Sequence, residues 1–180
     1  MNTPVFSVNP LACAASADHL PVRFEDRSMN PRFGCKGKGA AAWLAEQGWP
    51  VPEHANQWQG IAHCEAGGFV ARLGRAEFLV EGNTTAIGRL AEAELPGDVI
   101  GVLRQDANLR LSGPGLPELL RQTCNVDFAA LDLATCPVVL TSLAGVAVIA
   151  LPEEDGIRLW CDGTYGPWLW ETLQEVAGGL

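Results

Sequence analysis

A glycine-rich loop is the first place in the sequence where residue types and spacing could support chemistry. Residues 34–39 read GCKGKG and continue directly into AAAWLA, so a loop with two lysines opens onto a helix. Such a loop can cradle a phosphate, but a Walker-type loop also needs a serine or threonine after its lysine to reach a magnesium ion. Here Gly39 is followed by alanines, so we predict a structural turn whose glycines permit tight backbone angles. Lys36 and Lys38 are then either solvated or directed at an acidic partner.

The cysteines and histidines are too scattered to predict a metal or nucleophile site. The chain has six cysteines and three histidines, without a C-x-x-C pair, and His63 and Cys64 are adjacent. A structural zinc site needs four such ligands, and a cysteine nucleophile needs a histidine beside it in space. The sequence also lacks G-x-S-x-G and G-x-G-x-x-G motifs. We therefore expect buried, unreactive thiols, and no catalytic, cofactor-binding or metal-binding residue in this chain.

Acidic residues cluster at Glu92 and Glu94 and again at residues 153–155. The first pair falls on a solvated helix face, and the second cluster lies in the hairpin turn EEDG. Neither place is apolar enough to raise a carboxylate pKa for acid catalysis. We interpret both clusters as structural.

Composition and charge limit the classes of partner. The 180 residues include 12 lysines and arginines against 21 aspartates and glutamates, which gives a formal net charge of −9. A field of this sign repels phosphate backbones, so nucleic acid is an unexpected partner. The longest apolar run, residues 138–151, is too short to span a bilayer, and the N-terminus lacks the basic start of a secretory signal. We expect a cytoplasmic protein.

One pattern of elements occurs twice along the chain. In each half a short strand passes through two glycines into a helix, and strands and a closing helix follow. The matching positions are 76 residues apart: Gly37 with Gly113, Gly39 with Gly115, and Leu44 with Leu120. The predicted strands are 33–35, 69–73, 77–81, 99–104, 109–111, 137–142, 146–151 and 157–161, and the predicted helices are 40–48, 84–93, 116–123 and 165–177.

This repeat predicts an α+β fold made of a duplicated strand–helix–strand–strand–helix unit. We expect mostly antiparallel sheets with helices on one face of each. Residues 1–31 carry four prolines without a sustained period, so they are predicted to form an extended N-terminal arm. Residues 32–180 are predicted to form a single compact domain made of two similar halves, about 32–98 and 99–180.

The last predicted helix places one tryptophan on its polar side. Leu169 and Leu173 mark an apolar stripe with Trp170 at its edge, whereas Trp168 falls on the opposite face beside two glutamates. Exposed aromatic residues are enriched at protein interfaces. Trp168 is therefore either a partner contact or a side chain that folds back over the helix start or under the N-terminal arm.

Seven short motifs in order carry a resemblance to a known family. They are RFGCKGKGAAAWLAEQGWPVP (32–52), VARLG (70–74), LRQD (103–106), LSGP (111–114), CNVDF (124–128), TSLAGV (141–146) and YGPWLWETL (165–173). Together they resemble the gamma subunit of heterotetrameric sarcosine oxidase. The resemblance extends from about residue 32 to 178 and leaves residues 1–31 uncovered.

The resemblance implies both a fold and a function. The implied fold is related to the folate-binding aminomethyltransferase of the glycine cleavage system. The implied function is that of a non-catalytic gamma subunit, which packs on alpha in a cytoplasmic complex with beta and delta subunits that oxidises sarcosine or a related N-methyl amino acid. FAD, FMN, NAD and tetrahydrofolate would be held by the partner subunits and none by this chain. Trp168, Lys36 and Lys38 are the residues that we predict at the partner interface.

Two alternatives stay open at this point. The first is a stand-alone tetrahydrofolate-binding, aminomethyltransferase-like protein. Folate-binding domains of this kind usually carry an aspartate shortly after the glycine of the TSLAG strand, where this chain has Val146, Ala147 and Val148. The second is a small regulatory binding domain.

Overall fold

The structure, a computed structural model, describes residues 8–12, 14, 19–61 and 68–180. Within these residues the chain forms ten β-strands, four α-helices and two short 3-10 helices. In chain order they are β1 (Arg23–Asp26), β2 (Arg32–Lys36), α1 (Ala40–Glu46), β3 (Gln57–Gly60), β4 (Phe69–Arg72), β5 (Glu77–Glu81), α2 (Thr84–Glu92), β6 (Ile100–Val102), β7 (Ala107–Ser112), α3 (Leu116–Thr123), the 3-10 helices Phe128–Ala130 and Leu133–Thr135, β8 (Val139–Leu143), β9 (Val146–Glu153), β10 (Gly156–Cys161) and α4 (Gly166–Gly178). No helix in the described ranges is both long and apolar enough to cross a membrane.

These elements build two compact units. Among the described residues, unit 1 consists of Asn30–Arg104, and unit 2 combines the described part of Phe6–Met29 with Gln105–Leu180.

Unit 1 is a five-stranded antiparallel sheet in the order β3-β4-β5-β2-β6. Alternate residues of a strand point to the same face, so Cys35 of β2 lies opposite Phe78 of β5 and both enter the core. Helices α1 and α2 cover this face because each turns an apolar side toward it. Their buried contributions are Trp43, Leu44, Ile87 and Leu90.

Unit 2 is a second five-stranded antiparallel sheet, in the order β1-β7-β10-β9-β8. Leu109 of β7 is paired with Leu159 of β10, and both are fully buried in the core of this unit. Helices α3 and α4 add their own buried side chains to the same core: Leu116, Leu119, Leu120, Leu169, Trp170, Leu173 and Ala177. The helices therefore pack on one face of the sheet, which positions the exposed side of α4 away from the core.

The two sheets have the same strand order once their edges are aligned, β6-β2-β5-β4-β3 in unit 1 and β1-β7-β10-β9-β8 in unit 2. This confirms the predicted α+β class with two similar antiparallel sheets. The edge strands are exchanged between the halves: β1 precedes β2 in the chain but pairs with β7, and β6 precedes β7 but pairs with β2.

The unit boundaries consequently differ from those that the repeat pattern predicted. The boundaries expected at 31/32 and 98/99 lie at 29/30 and 104/105. The predicted arm 1–31 contains β1, and the segment before β7 belongs to the other sheet. Local sequence carries no signal for this exchange, because each edge strand pairs with a strand that is distant in the chain.

Most predicted elements agree with the structure to within a few residues, and α3 and β5 agree at both ends. The strand β3 was missed, so the first half has three strands between its helices. Its sequence QWQG is polar and short, and its residues are half-buried or exposed, which removes the alternation that identifies a strand.

Candidate functional site

The glycine loop is a tightly packed corner. Gly37 has φ +130°, a conformation that side chains rarely adopt. Its amide donates to the Ala76 carbonyl at 2.9 Å. A Cβ on Gly37 would lie 2.0 Å from the Asp98 carbonyl oxygen, and a Cβ on Gly39 would lie 2.5 Å from the Asp98 carboxylate. The segment before β6 therefore occupies the space above the loop.

The second copy of the loop is built in the same way. Gly113 has φ +110°, and a Cβ there would lie 2.8 Å from the Pro21 carbonyl oxygen. Gly115 donates its amide to that same oxygen at 3.0 Å. Pro21 stands two residues before β1, as Asp98 stands two residues before β6. In both corners the glycines thus contact the segment that leads into an edge strand, β6 in unit 1 and β1 in unit 2.

This geometry favours the structural interpretation of both loops. A phosphate at residues 34–39 would need free amides and a positive field. The Gly37 amide is already bonded within the protein, and the Asp98 carboxylate lies against Gly39. A negative group at this place repels an anion.

Lys36 and Lys38 are exposed beside this corner. Lys36 ends β2, where it is paired with Glu77 and Ile100 of the neighbouring strands. Neither lysine has an ion-pair partner within the part of the chain that the structure describes. Their contact with an acidic partner stays a prediction.

Trp168 lies half-exposed on α4, with 50% of its surface accessible, whereas Trp170 is buried. Gly166 lets the start of this helix approach β7, because a Cβ there would fall 2.5 Å from Ala107 Cβ. The close approach fixes the helix so that Trp168 faces outward. Trp168 belongs to unit 2 and the two lysines to unit 1.

Tyr165 extends the exposed aromatic surface. It immediately precedes α4 and is 56% exposed. Tyr165, the N-cap of α4, and Trp168 are three residues apart and both exposed, and we call this pair the aromatic patch. Sequence reasoning missed Tyr165, although its spacing from Trp168 was a usable signal.

The described cysteines are free thiols, and two of them, Cys124 and Cys136, are only partly buried. Cys35 and Cys161 are buried, and burial raises the pKa of each thiol to about 12. A thiol with such a pKa stays protonated near neutral pH and is a poor nucleophile. No group of three or more potential metal ligands lies within the described ranges. His63, Cys64 and Cys13 fall outside the described residues.

The acidic turn between β9 and β10 is part of an ion-pair cluster. Arg110 of β7 binds Glu25 at 3.2 Å, Glu153 at 3.1 Å and Asp155 at 2.7 Å. Arg158 binds the second oxygen of Glu153 at 2.6 Å. These contacts join four neighbouring strands, β1, β7, β10 and β9. The cluster therefore stabilises the pairing of the edge strand β1 with its sheet.

A large groove in unit 2 shares the β9–β10 turn with this cluster and has a volume of about 1,100 Å³. One wall is α3, the other is the β9–β10 turn, and the 3-10 helices after α3 close one side. We call this feature the α3 groove. The sequence did not reveal it, because its lining residues are spread from 113 to 157 and meet only in the folded unit.

Comparison with known proteins gives two kinds of similarity, although no family model matches this sequence. The chain is 34% identical over 116 residues to sarcosine oxidase subunit gamma from Arthrobacter sp.. The aligned part is 62% of this chain and 55% of that protein, so it spans about half of the relative's length. This confirms the resemblance.

Solved structures agree with it in fold. A chain of the heterotetrameric sarcosine oxidase from Corynebacterium sp. U-96, solved in complex with pyrrole 2-carboxylate, aligns with a TM-score of 0.68 and 22% identity, over 94% of this chain and 96% of that one. Glycine cleavage system aminomethyltransferase T from Bartonella henselae aligns with a TM-score of 0.63 and 13% identity, over 86% of this chain and 45% of that one. The fold is therefore aminomethyltransferase folate-binding-domain-like, as predicted.

Proposed function

We propose that this chain is the gamma subunit of a heterotetrameric sarcosine oxidase-like complex. The complex would oxidatively demethylate sarcosine or a related N-methyl amino acid, and this chain would stabilise its alpha subunit. The observation that carries the proposal is the fit to a chain of the sarcosine oxidase heterotetramer, which covers 94% of this chain and 96% of that one. The sequence similarity to a gamma subunit supports the same assignment.

The chemistry of the described residues is consistent with a subunit that has no active site of its own. The glycine corners are filled by backbone and by a carboxylate, the buried thiols are protonated, and the acidic turn is paired with arginines. We infer that flavin, NAD and tetrahydrofolate chemistry belongs to the alpha and beta subunits. The cytoplasmic location stays a prediction.

We place the partner contact at the aromatic patch and, separately, at Lys36 and Lys38. An exposed Trp–Tyr pair offers a large rigid contact area that loses little conformational entropy on binding. The two lysines add positive charge to an acidic chain, which would orient the encounter with an acidic surface of a partner. Both features remain proposals about the interface.

Co-expression with the alpha, beta and delta chains of a sarcosine oxidase, followed by native mass spectrometry, tests the proposal. We expect an intact heterotetramer that contains this chain, with sarcosine-dependent reduction of its flavin. A monodisperse monomer with no affinity for those chains would overturn it. Calorimetry of the isolated chain with tetrahydrofolate tests the alternative of a stand-alone folate-binding protein. That alternative requires the chain to bind tetrahydrofolate in the absence of any partner.

A further inference from the structure

The α3 groove has an apolar floor. Leu116, Leu120 and Ile157 line it and are nearly or fully buried in the core of unit 2. Phe128 and Leu133 stand on the two 3-10 helices at its side, and Leu133 leaves 37% of its surface accessible. Contiguous apolar surface at a concave place marks a binding surface more often than scattered exposed residues do.

The rim of the groove is strongly acidic. Five carboxylates line it, Glu118, Asp127, Glu153, Glu154 and Asp155, against one guanidinium. That guanidinium, Arg121, is bound to Glu118 at 2.6 Å, so it adds no free positive charge.

Two of these carboxylates remain available. Glu153 and Asp155 are held by Arg110. Glu154 is exposed at the tip of the turn, and Asp127 accepts the amide of Ala129. Neither of these two has an ion-pair partner within the described ranges.

We propose that the α3 groove docks a basic, apolar segment of a partner polypeptide. Its leucine-type side chains would enter between α3 and the β9–β10 turn, and its lysine or arginine heads would reach Glu154 and Asp127. The charge of the rim selects a cationic occupant, and burial of apolar side chains on the floor supplies the affinity. Only the identity of the partner chain, a larger subunit of the complex, rests on the proposed function.

A defined peptide tests the groove directly. A short labelled peptide of alternating leucine and lysine is titrated with the full chain by fluorescence anisotropy, beside the same peptide with glutamate in place of lysine. We expect the lysine peptide to bind, with an affinity that falls as salt is raised, and the glutamate peptide not to bind. Binding of both peptides alike would contradict the role of the rim.

Matched variants separate the groove from the general negative charge of the chain. The double variant Glu154→Arg with Leu133→Ser is compared with Glu46→Arg with Leu95→Ser, which makes the same changes at exposed sites in unit 1; Leu95 is 38% exposed and Leu133 37%. We expect the groove variant to weaken peptide binding about tenfold and the control less than about twofold. Equal weakening by both would overturn the proposal. Circular dichroism checks that each variant folds.

The co-expressed complex then distinguishes this inference from the proposed function. If the complex assembles equally with both double variants, the groove proposal fails and the proposed function stands. If the wild-type chain joins no complex but binds the lysine peptide through the groove, the proposed function fails and the groove proposal stands.

Discussion

The carboxylate of Asp98 lies directly over Gly39: a Cβ on that glycine would come within 2.5 Å of Asp98 Oδ1. Asp98, two residues before β6, thus closes the loop whose sequence suggested a phosphate site. Because Gly37 and Gly39 have no side chains, the segment before β6 can approach the loop closely.

Substituting Gly37 with alanine should strongly destabilise the protein. The new methyl group would meet the Asp98 carbonyl in a conformation that is already strained. Left-handed strain and overpacking together predict a loss of roughly 3 kcal/mol or more in the free energy of unfolding. Urea denaturation followed by tryptophan fluorescence measures this loss.

Gly48 provides the matched control for that substitution. It has φ +81° but no atom within 4 Å of the site of a Cβ. Gly48→Ala should therefore cost only the conformational strain, about 1 kcal/mol. Equal losses for the two variants would show that the close approach of Asp98 contributes nothing.

Removing the Trp168 side chain should weaken assembly and leave the chain folded. Half of this side chain is exposed, so we expect Trp168→Ala to lower the free energy of unfolding by only about 1–2 kcal/mol. Its affinity for the partner chains should fall about tenfold or more if the aromatic patch is an interface centre. Surface plasmon resonance with immobilised partner subunits measures the affinity.

Trp170 on the same helix is the control for folding. It is buried against Phe24, with ring centroids 5.5 Å apart. Trp170→Ala should lower the free energy of unfolding by about 3–5 kcal/mol. Unchanged affinity of the Trp168 variant would remove the aromatic patch from the interface.

Reversing the charge of Lys38 should slow association with an acidic partner. We expect Lys38→Glu to reduce the association rate about tenfold at low salt and much less at high salt, because steering by exposed charges is screened. Arg89→Glu on α2 makes the same charge change at another exposed site of unit 1. Stopped-flow mixing of each variant with the partner chains measures the association rate. If the two variants reduced that rate equally, the role of Lys38 would be refuted.

Acid should weaken the protein through Glu25. The hydrogen bond from Arg27 holds the pKa of this carboxyl below its ordinary value, and burial opposes the shift less strongly. Because the pKa of Glu25 in the folded state lies below the ordinary glutamate pKa of about 4.3, its ionised carboxyl stabilises the folded chain above that ordinary value. This contribution is lost as the pH falls through the lower pKa of the folded state. Glu25→Gln should therefore reduce stability at pH 7 and flatten its fall below about pH 4.3.

Denaturation curves at a series of pH values measure this dependence. Glu171→Gln, at an exposed site on α4, is the matched control because it removes one carboxyl that lies outside the ion-pair cluster. A Glu25→Gln profile that runs parallel to the wild type would contradict the contribution of this ion pair.

The four described thiols should differ in reactivity. With a pKa of about 12, Cys35 and Cys161 should resist alkylation at pH 8 until the chain unfolds. Cys124 and Cys136 are only partly buried and should react first. Mass spectrometry after iodoacetamide treatment, in a variant with Cys13 and Cys64 changed to serine, identifies the labelled sites. Rapid labelling of Cys35 in the folded chain would show that its core opens.

The sequence was sufficient for the elements that carry strong periodicity. Helix α3 was located at both ends because its leucines recur at helical spacing between Gly115 and Cys124. The repeated glycine corners also fixed the duplication, since Gly37 and Gly113 share a conformation that few other residues tolerate. The exposed face of Trp168 followed from the same helical periodicity.

Other features depended on contacts between distant residues. The strand β1 could not be assigned to β7, because RFED offers little apolar alternation and its partner is more than 80 positions away. The α3 groove joins a helix start to a hairpin turn, and no local pattern marks that meeting. Charge at Glu153–Asp155 was visible, but its pairing with Arg110 was not.

The exchanged edge strands bear on how such a chain could have arisen. Because β1 completes the second sheet and β6 the first, a gene encoding one repeat alone would leave a sheet with a bare border. Two molecules of such a half-length ancestor could each have contributed that edge strand to the sheet of the other. Fusion of the two copies would then have placed both pairings within one chain. Cutting the present polypeptide between residues 104 and 105 should accordingly leave the sheet of unit 1 complete in the first fragment, whereas the second fragment should recover its sheet only when the first supplies β1.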